Sequence, residues 1–185
     1  MTLVLFSLGS HLILTAASFQ QPKREHLNAQ EIDLVRDNQE LDKRTQVFIK
    51  AAERRLLVLT NQQPAAQTKQ AQKASESFGP LPTGTRAELL SDIARILDEA
   101  ITNIDDTSTR NPDSPLLPKA IRKLAEASQK LIMQLTPLRA SAGDEGSERE
   151  SLEQALDSLQ EIIEAAKKVP DDAPEKKGKQ SGTND

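Results

Sequence analysis

The chain has 185 residues, with 24 Lys and Arg against 28 Asp and Glu and a net charge of −4. It contains no Cys, which excludes disulfides, thiolate metal sites, thiol catalysis and a lipid-modified cysteine. The negative balance and an aromatic content of 2% speak against nucleic-acid binding, which needs a concentrated positive field and rings for bases to stack on.

With no Trp and no Tyr, the core must be built from Leu, Ile, Val and Ala. That composition suits close-packed helices better than a β-sandwich, where β-branched and aromatic residues are enriched. The length allows one domain of ordinary size with flexible ends.

Met1 to Pro22 contains no Asp, Glu, Lys or Arg. Leu3 to Ala17 is an apolar run that ends in the small residues Ala16, Ala17 and Ser18. This reads as an export signal over residues 1–18, cleaved near Ala17 or Ser18. No Lys or Arg precedes the run, where such a signal ordinarily carries one. A membrane anchor is the alternative, but the run is shorter than the roughly 20 apolar residues a spanning helix needs. A buried N-terminal helix is the third reading.

From Lys23 onward, apolar residues recur at helical spacing, and an all-α bundle domain is expected over residues 23–169. The first helix is expected to be long, from Lys23 to Thr60. Leu27, Leu34, Leu41 and Phe48 recur every seven residues, a coiled-coil-like spacing. Its companion positions Glu31, Asn38 and Thr45 are polar, so the seam starts thin. Pro64 ends or kinks this helix. A flexible linker follows over residues 61–84; its last part, Phe78 to Gly84, reads as loop.

The second helix starts at Thr85, with Glu88 three residues later forming a capping box. A wide apolar face follows through Leu89, Leu90, Ile93, Ile96, Leu97, Ala100 and Ile104, so this helix is expected to be central. Asp105 to Asp113 reads as a polar connection. Ser114–Pro115 then gives an N-cap and a first helical position for the third helix. Leu117, Ile121, Leu124, Ser128, Leu131 and Leu135 alternate spacings of four and three, and Pro137 ends the helix near Thr136. Ser128, a polar residue in that seam, is expected to bond back to its own helix. Ser147 and Glu150 suggest a second capping box, followed by Leu152, Leu156, Leu159, Ile163 and Ala166. Residues 170–185 are polar, with nothing to bury, and disorder is expected there.

The pattern predicts an antiparallel bundle of about four helices. The second and fourth helices are acidic and the third is basic. That favours placing the third between the other two, although exposed ion pairs contribute only about 0–1 kcal/mol each.

Residue types that carry chemistry are scarce. The chain has two His, and His11 lies in the export segment. His26 alone cannot build a typical zinc site and is expected to be solvated. Asp105–Asp106 lacks the spacing of a calcium loop, since the following residues supply neither its central Gly nor its closing Glu. Glu150, Glu153, Asp157, Glu161 and Glu164 follow a helical face and read as solvated. No serine sits in a nucleophile motif, and no glycine-rich phosphate loop is present. Neither a catalytic residue, a metal nor a cofactor is expected.

The most unusual surface feature is basic. Lys43, Lys50, Arg54 and Arg55 cluster on the first helix and suggest a face for an acidic partner, an anionic lipid or an envelope polymer; the alternative is that they pair with the acidic second or fourth helix or are solvated.

The expectation is therefore an exported, periplasmic or secreted helical bundle that acts as a structural or interaction module of the bacterial cell envelope. Its partner would be another envelope protein or a second copy, with membrane contact only if the N-terminal segment stays attached. A carrier that holds an apolar ligand between the second and third helices is the alternative.

Overall fold

The computed structural model describes residues 24–60, 76–143 and 146–169. The segment expected to direct export, the first part of the expected linker and the polar tail lie outside the described residues. Among the described residues there are five α-helices and one short 3₁₀ helix, and no strand. They are α1 (Ala29–Asp37), α2 (Leu41–Leu59), α3 (Arg86–Arg110), α4 (Leu116–Leu135), the 3₁₀ segment Thr136–Ala140, and α5 (Ser147–Ala166). None of these helices is long and apolar enough to cross a membrane.

The expected long first helix is two helices. Asn28 opens α1: its side-chain oxygen accepts from the Glu31 N–H at 2.8 Å, while Glu31 reaches back to the Asn28 N–H at 2.9 Å. This reciprocal cap satisfies two orphan donors of the first turn, and it leaves Arg24 to Leu27 outside any helix. Asn38 closes α1, with both its backbone N–H and its side-chain amide donating to the Leu34 carbonyl. Arg44 then secures the break. It donates to the Asn38 carbonyl at 3.0 Å and to Asn103 Oδ1 on α3 at 3.0 Å.

The capping box at Thr85 and Glu88 forms as expected. Helix α3 does not stop at Ile104; it runs on to Arg110, so Asp105 and Asp106 are helical rather than part of a connection. Asp106 accepts from Arg110 at 2.8 Å one turn later. The start of α4 falls one residue beyond the expected site: Pro115 occupies the cap position and Leu116 is the first helical residue. Ser147 is itself the first residue of α5 and caps nothing. The cap position belongs to Gly146, at φ 119°, a conformation that favours glycine.

Helices α2, α3, α4 and α5 form a four-cornered bundle. Around the ring, α2 packs on α3, α3 on α5, α5 on α4, and α4 on α2. Consecutive helices run in opposite directions, but α3 and α4 lie across the diagonal and touch little. Two side-by-side pairs are therefore parallel. Arg86 at the start of α3 bonds Glu148 at the start of α5 at 2.8 Å. Lys123 near the start of α4 lies 3.6 Å from Asp42 near the start of α2. Basic α4 is thus flanked by α5 and α2, and the two acidic helices α3 and α5 are neighbours. Burial outweighs the charge pattern here, because Leu89, Leu90, Ile93, Ile96, Leu97 and Ala100 are all essentially inaccessible and need covering on several sides. Each fully buried aliphatic side chain contributes about 1.5–3 kcal/mol, against under 1 kcal/mol for an exposed ion pair.

The core is one continuous cluster of aliphatic residues from all four bundle helices, with Phe48 as its aromatic member. Ser128 is fully buried and donates to the Leu124 carbonyl at 2.9 Å, as expected. On α5, Ile162 turns inward and Ile163 sits at the margin.

Candidate functional site

Two features of the molecule concentrate chemistry. The first is a buried polar cluster at the junction of α1, α2, α3 and the segment Glu76–Thr85. Its centre is Glu31, fully inaccessible. Arg55 donates to it twice, Nη1 to Oε1 at 2.6 Å and Nη2 to Oε2 at 2.7 Å. Arg54 Nε lies 3.3 Å from the same carboxylate. The surplus donors go to backbone: Arg55 to the carbonyls of Ala51 and His26, Arg54 to those of Gly79 and Pro80. Burial pushes the Arg54 guanidinium below its ordinary range, with the Glu31 charge opposing that shift. Its guanidinium also sits 5.6 Å above the centroid of the buried Phe78 ring.

A second carboxylate, Asp92 on α3, is 2% exposed. Arg24 Nη1 lies 2.9 Å from its Oδ1, and Arg24 Nη2 donates to the Thr83 carbonyl at 2.6 Å. Arg95 donates to the Arg24 carbonyl at 2.8 Å. Burial raises the Asp92 carboxyl above its usual range, against the pull of Arg24, Arg55 and Arg95. His26 is not solvated. Its ring is mostly covered, and Nε2 lies 2.8 Å from Glu99 Oε2. Together these contacts fasten residues 24–28 and 78–83 onto α2 and α3.

The four residues of the expected basic face do not share an exposed surface. Lys43 is exposed and pairs with Glu40 at 2.7 Å. Lys50 is half-buried. Arg54 and Arg55 point into the cluster and are consumed there. A helical spacing of seven and four assigns residues to a stripe but does not say which way that stripe faces. The polar Glu31 within an apolar seam was the signal that a cation would be buried opposite it.

The second feature is an open groove of about 270 Å³ near the C-terminal ends of α3 and α5 and the N-terminal part of α4. Ile101 and Ile104 from α3, Ile121 and Leu124 from α4, and Ile162 and Ala165 from α5 line it. Asp105 and Glu161 supply its carboxylates, one from α3 and one from α5, and both residues are exposed. Among the described residues, no group of three or more His, Asp or Glu is placed to hold a metal ion.

No protein-family model matches the chain, and neither a curated protein nor a solved structure matches it.

Proposed function

We propose that this chain works by binding, as a structural or interaction module of the bacterial cell envelope, with the groove between α3, α4 and α5 as its docking site. The groove carries this reading. It is an aliphatic concavity in a bundle whose buried charges are already engaged in holding the chain together. Its volume of about 270 Å³ falls just under the roughly 300–1,000 Å³ typical of sites that enclose a small molecule. It suits one or two large side chains of a partner segment, the usual anchors of a helix laid in a groove. The apolar run at Leu3–Ala17 supports export, and the mature protein would begin near Ser18.

The test is site-specific photocrosslinking in cells. A crosslinking residue at Ile121 should give a discrete adduct in the envelope fraction, and one at exposed Lys43 should not. Absence of any adduct from Ile101, Ile121 and Ile162 would remove the reading.

The carrier reading draws on the same walls, since Ile101, Ile104, Ile121 and Leu124 come from the two helices expected to hold an apolar ligand. Organic extraction of the purified protein, followed by mass spectrometry, separates the two. A stoichiometric lipid or alkyl compound favours the carrier.

A further inference from the structure

We infer that the occupant of the groove is one face of a positively charged amphipathic helix from another protein. This rests on the interaction reading above and gives it a partner chemistry. Aliphatic side chains spaced by four would seat between Ile101, Ile121 and Ile162, and lysines or arginines beside them would reach Asp105 and Glu161.

Charge complementarity selects this occupant. Asp105 and Glu161 border an otherwise aliphatic surface, and neither is in an ion pair within the described part of the molecule. Exposed Asp98 and Asp157 extend the acidic rim along the same two helices. The cations beside the groove lining on α4, Lys119, Arg122 and Lys123, have interactions of their own, Lys123 with Asp42, so the rim leaves carboxylates to be matched.

The chain's own segments fit less well. Met1 to Pro22 has aliphatic anchors but no charged residue, so it would leave both carboxylates unmatched. Residues 170–185 carry Lys176, Lys177 and Lys179, but their apolar content is Ala173 and prolines, too little to fill an aliphatic groove. A second copy would have to offer Ile32, Leu81 or Met133, which are exposed singly on separate elements.

The experiment titrates the full chain, methyl-labelled at isoleucine, with a 16-residue helical peptide carrying two leucines four apart and flanking lysines. A second peptide has the same leucines and glutamates in place of the lysines. The lysine peptide should shift the Ile101, Ile121 and Ile162 methyl signals. Binding should weaken about tenfold or more in D105K or E161K chains of unchanged helicity, and it should weaken with added salt. Equal or tighter binding of the glutamate peptide would overturn the charge assignment and leave the docking site standing. If neither peptide moves those signals, both the inference and the docking reading fall. If dodecyltrimethylammonium binds and both peptides do not, the inference falls and the carrier reading takes its place.

Discussion

Arg55 and Glu31, 24 positions apart, meet through two hydrogen bonds of 2.6 and 2.7 Å in a site where the arginine is 2% exposed and the carboxylate fully inaccessible. A buried pair of this kind is costly to break from one side, because the remaining charge stays desolvated. Glu31→Gln should therefore destabilise the protein by about 3–5 kcal/mol. The double variant Glu31→Leu, Arg55→Met removes this pair and should recover part of that loss, since Arg54 and the Asn28 N–H still lose the carboxylate. Urea denaturation of the three proteins checks it; a single variant no less stable than the double one would contradict it.

Asp92 should behave differently, although it is equally buried. Its partner Arg24 is about a third exposed and can return to water. Asp92→Asn should therefore cost under about 1 kcal/mol near neutral pH. The pH dependence has a definite sign. Burial raises the folded-state pKa above the unfolded value of about 3.9. The stabilisation that comes with the proton is complete below the unfolded pKa and is lost as pH rises through the folded one. Relative to Asp92→Asn, the native chain should lose stability as pH rises from about 4 through the raised folded-state value. Denaturation midpoints at several pH values test this, and a relative gain would refute it.

The two sites that resemble capping boxes in sequence should respond unequally. Thr85 accepts from the Glu88 N–H, and Glu88 accepts from the Thr85 N–H at 2.7 Å. Thr85→Ala should cost about 1 kcal/mol. Ser147 makes no such bond, and Ser147→Ala should stay within about 0.5 kcal/mol of the native chain. Thermal melts of the two variants decide it. Glu88 also has a lowered pKa, caused first by its bond from the Thr85 backbone. Its contribution is present above the ordinary carboxylate range and fades as pH falls through the lowered value.

Phe78 is the anchor of the segment after residue 75. Its ring is buried beneath Arg54, and its carbonyl accepts from Asn28 at 3.0 Å. Phe78→Ala should destabilise by about 3–5 kcal/mol and open this segment before the bundle melts. Hydrogen exchange should then show early loss of protection at Gly79, whose N–H donates to the Glu76 carbonyl, with α4 and α5 unaffected.

The helices were legible because their apolar positions repeat at three and four, and Thr85 with Glu88 announced a start. Part of what escaped was local to three polar positions in the first seven-residue stripe. Glu31, Asn38 and Thr45 looked like one thin seam. Each has its own reason: Glu31 is a buried counter-ion, Asn38 a helix stop, and Thr45 donates back to the Leu41 carbonyl at 2.8 Å. Periodicity treats them alike, and only tertiary partners distinguish them. Of the candidate site, the aliphatic walls were readable as core. The groove was not, because a concavity depends on which helix stands beside which, and the charge pattern pointed to a different neighbour for α4.

The crossed arrangement of α3 and α4 bears on how the chain assembles. Helix α5, the last to be synthesised, is the wall shared by both, and the pairs that join the parallel neighbours are 62 and 81 residues apart. The hairpins α2–α3 and α4–α5 can each form locally, but the interior is complete only when they dock through α3–α5 and α2–α4, so folding waits on long loop closures and should be slower than in a bundle of sequential neighbours. A nascent chain halted before Ser147 would hold an open cleft where α5 belongs, and only the arrival of that helix can shut it.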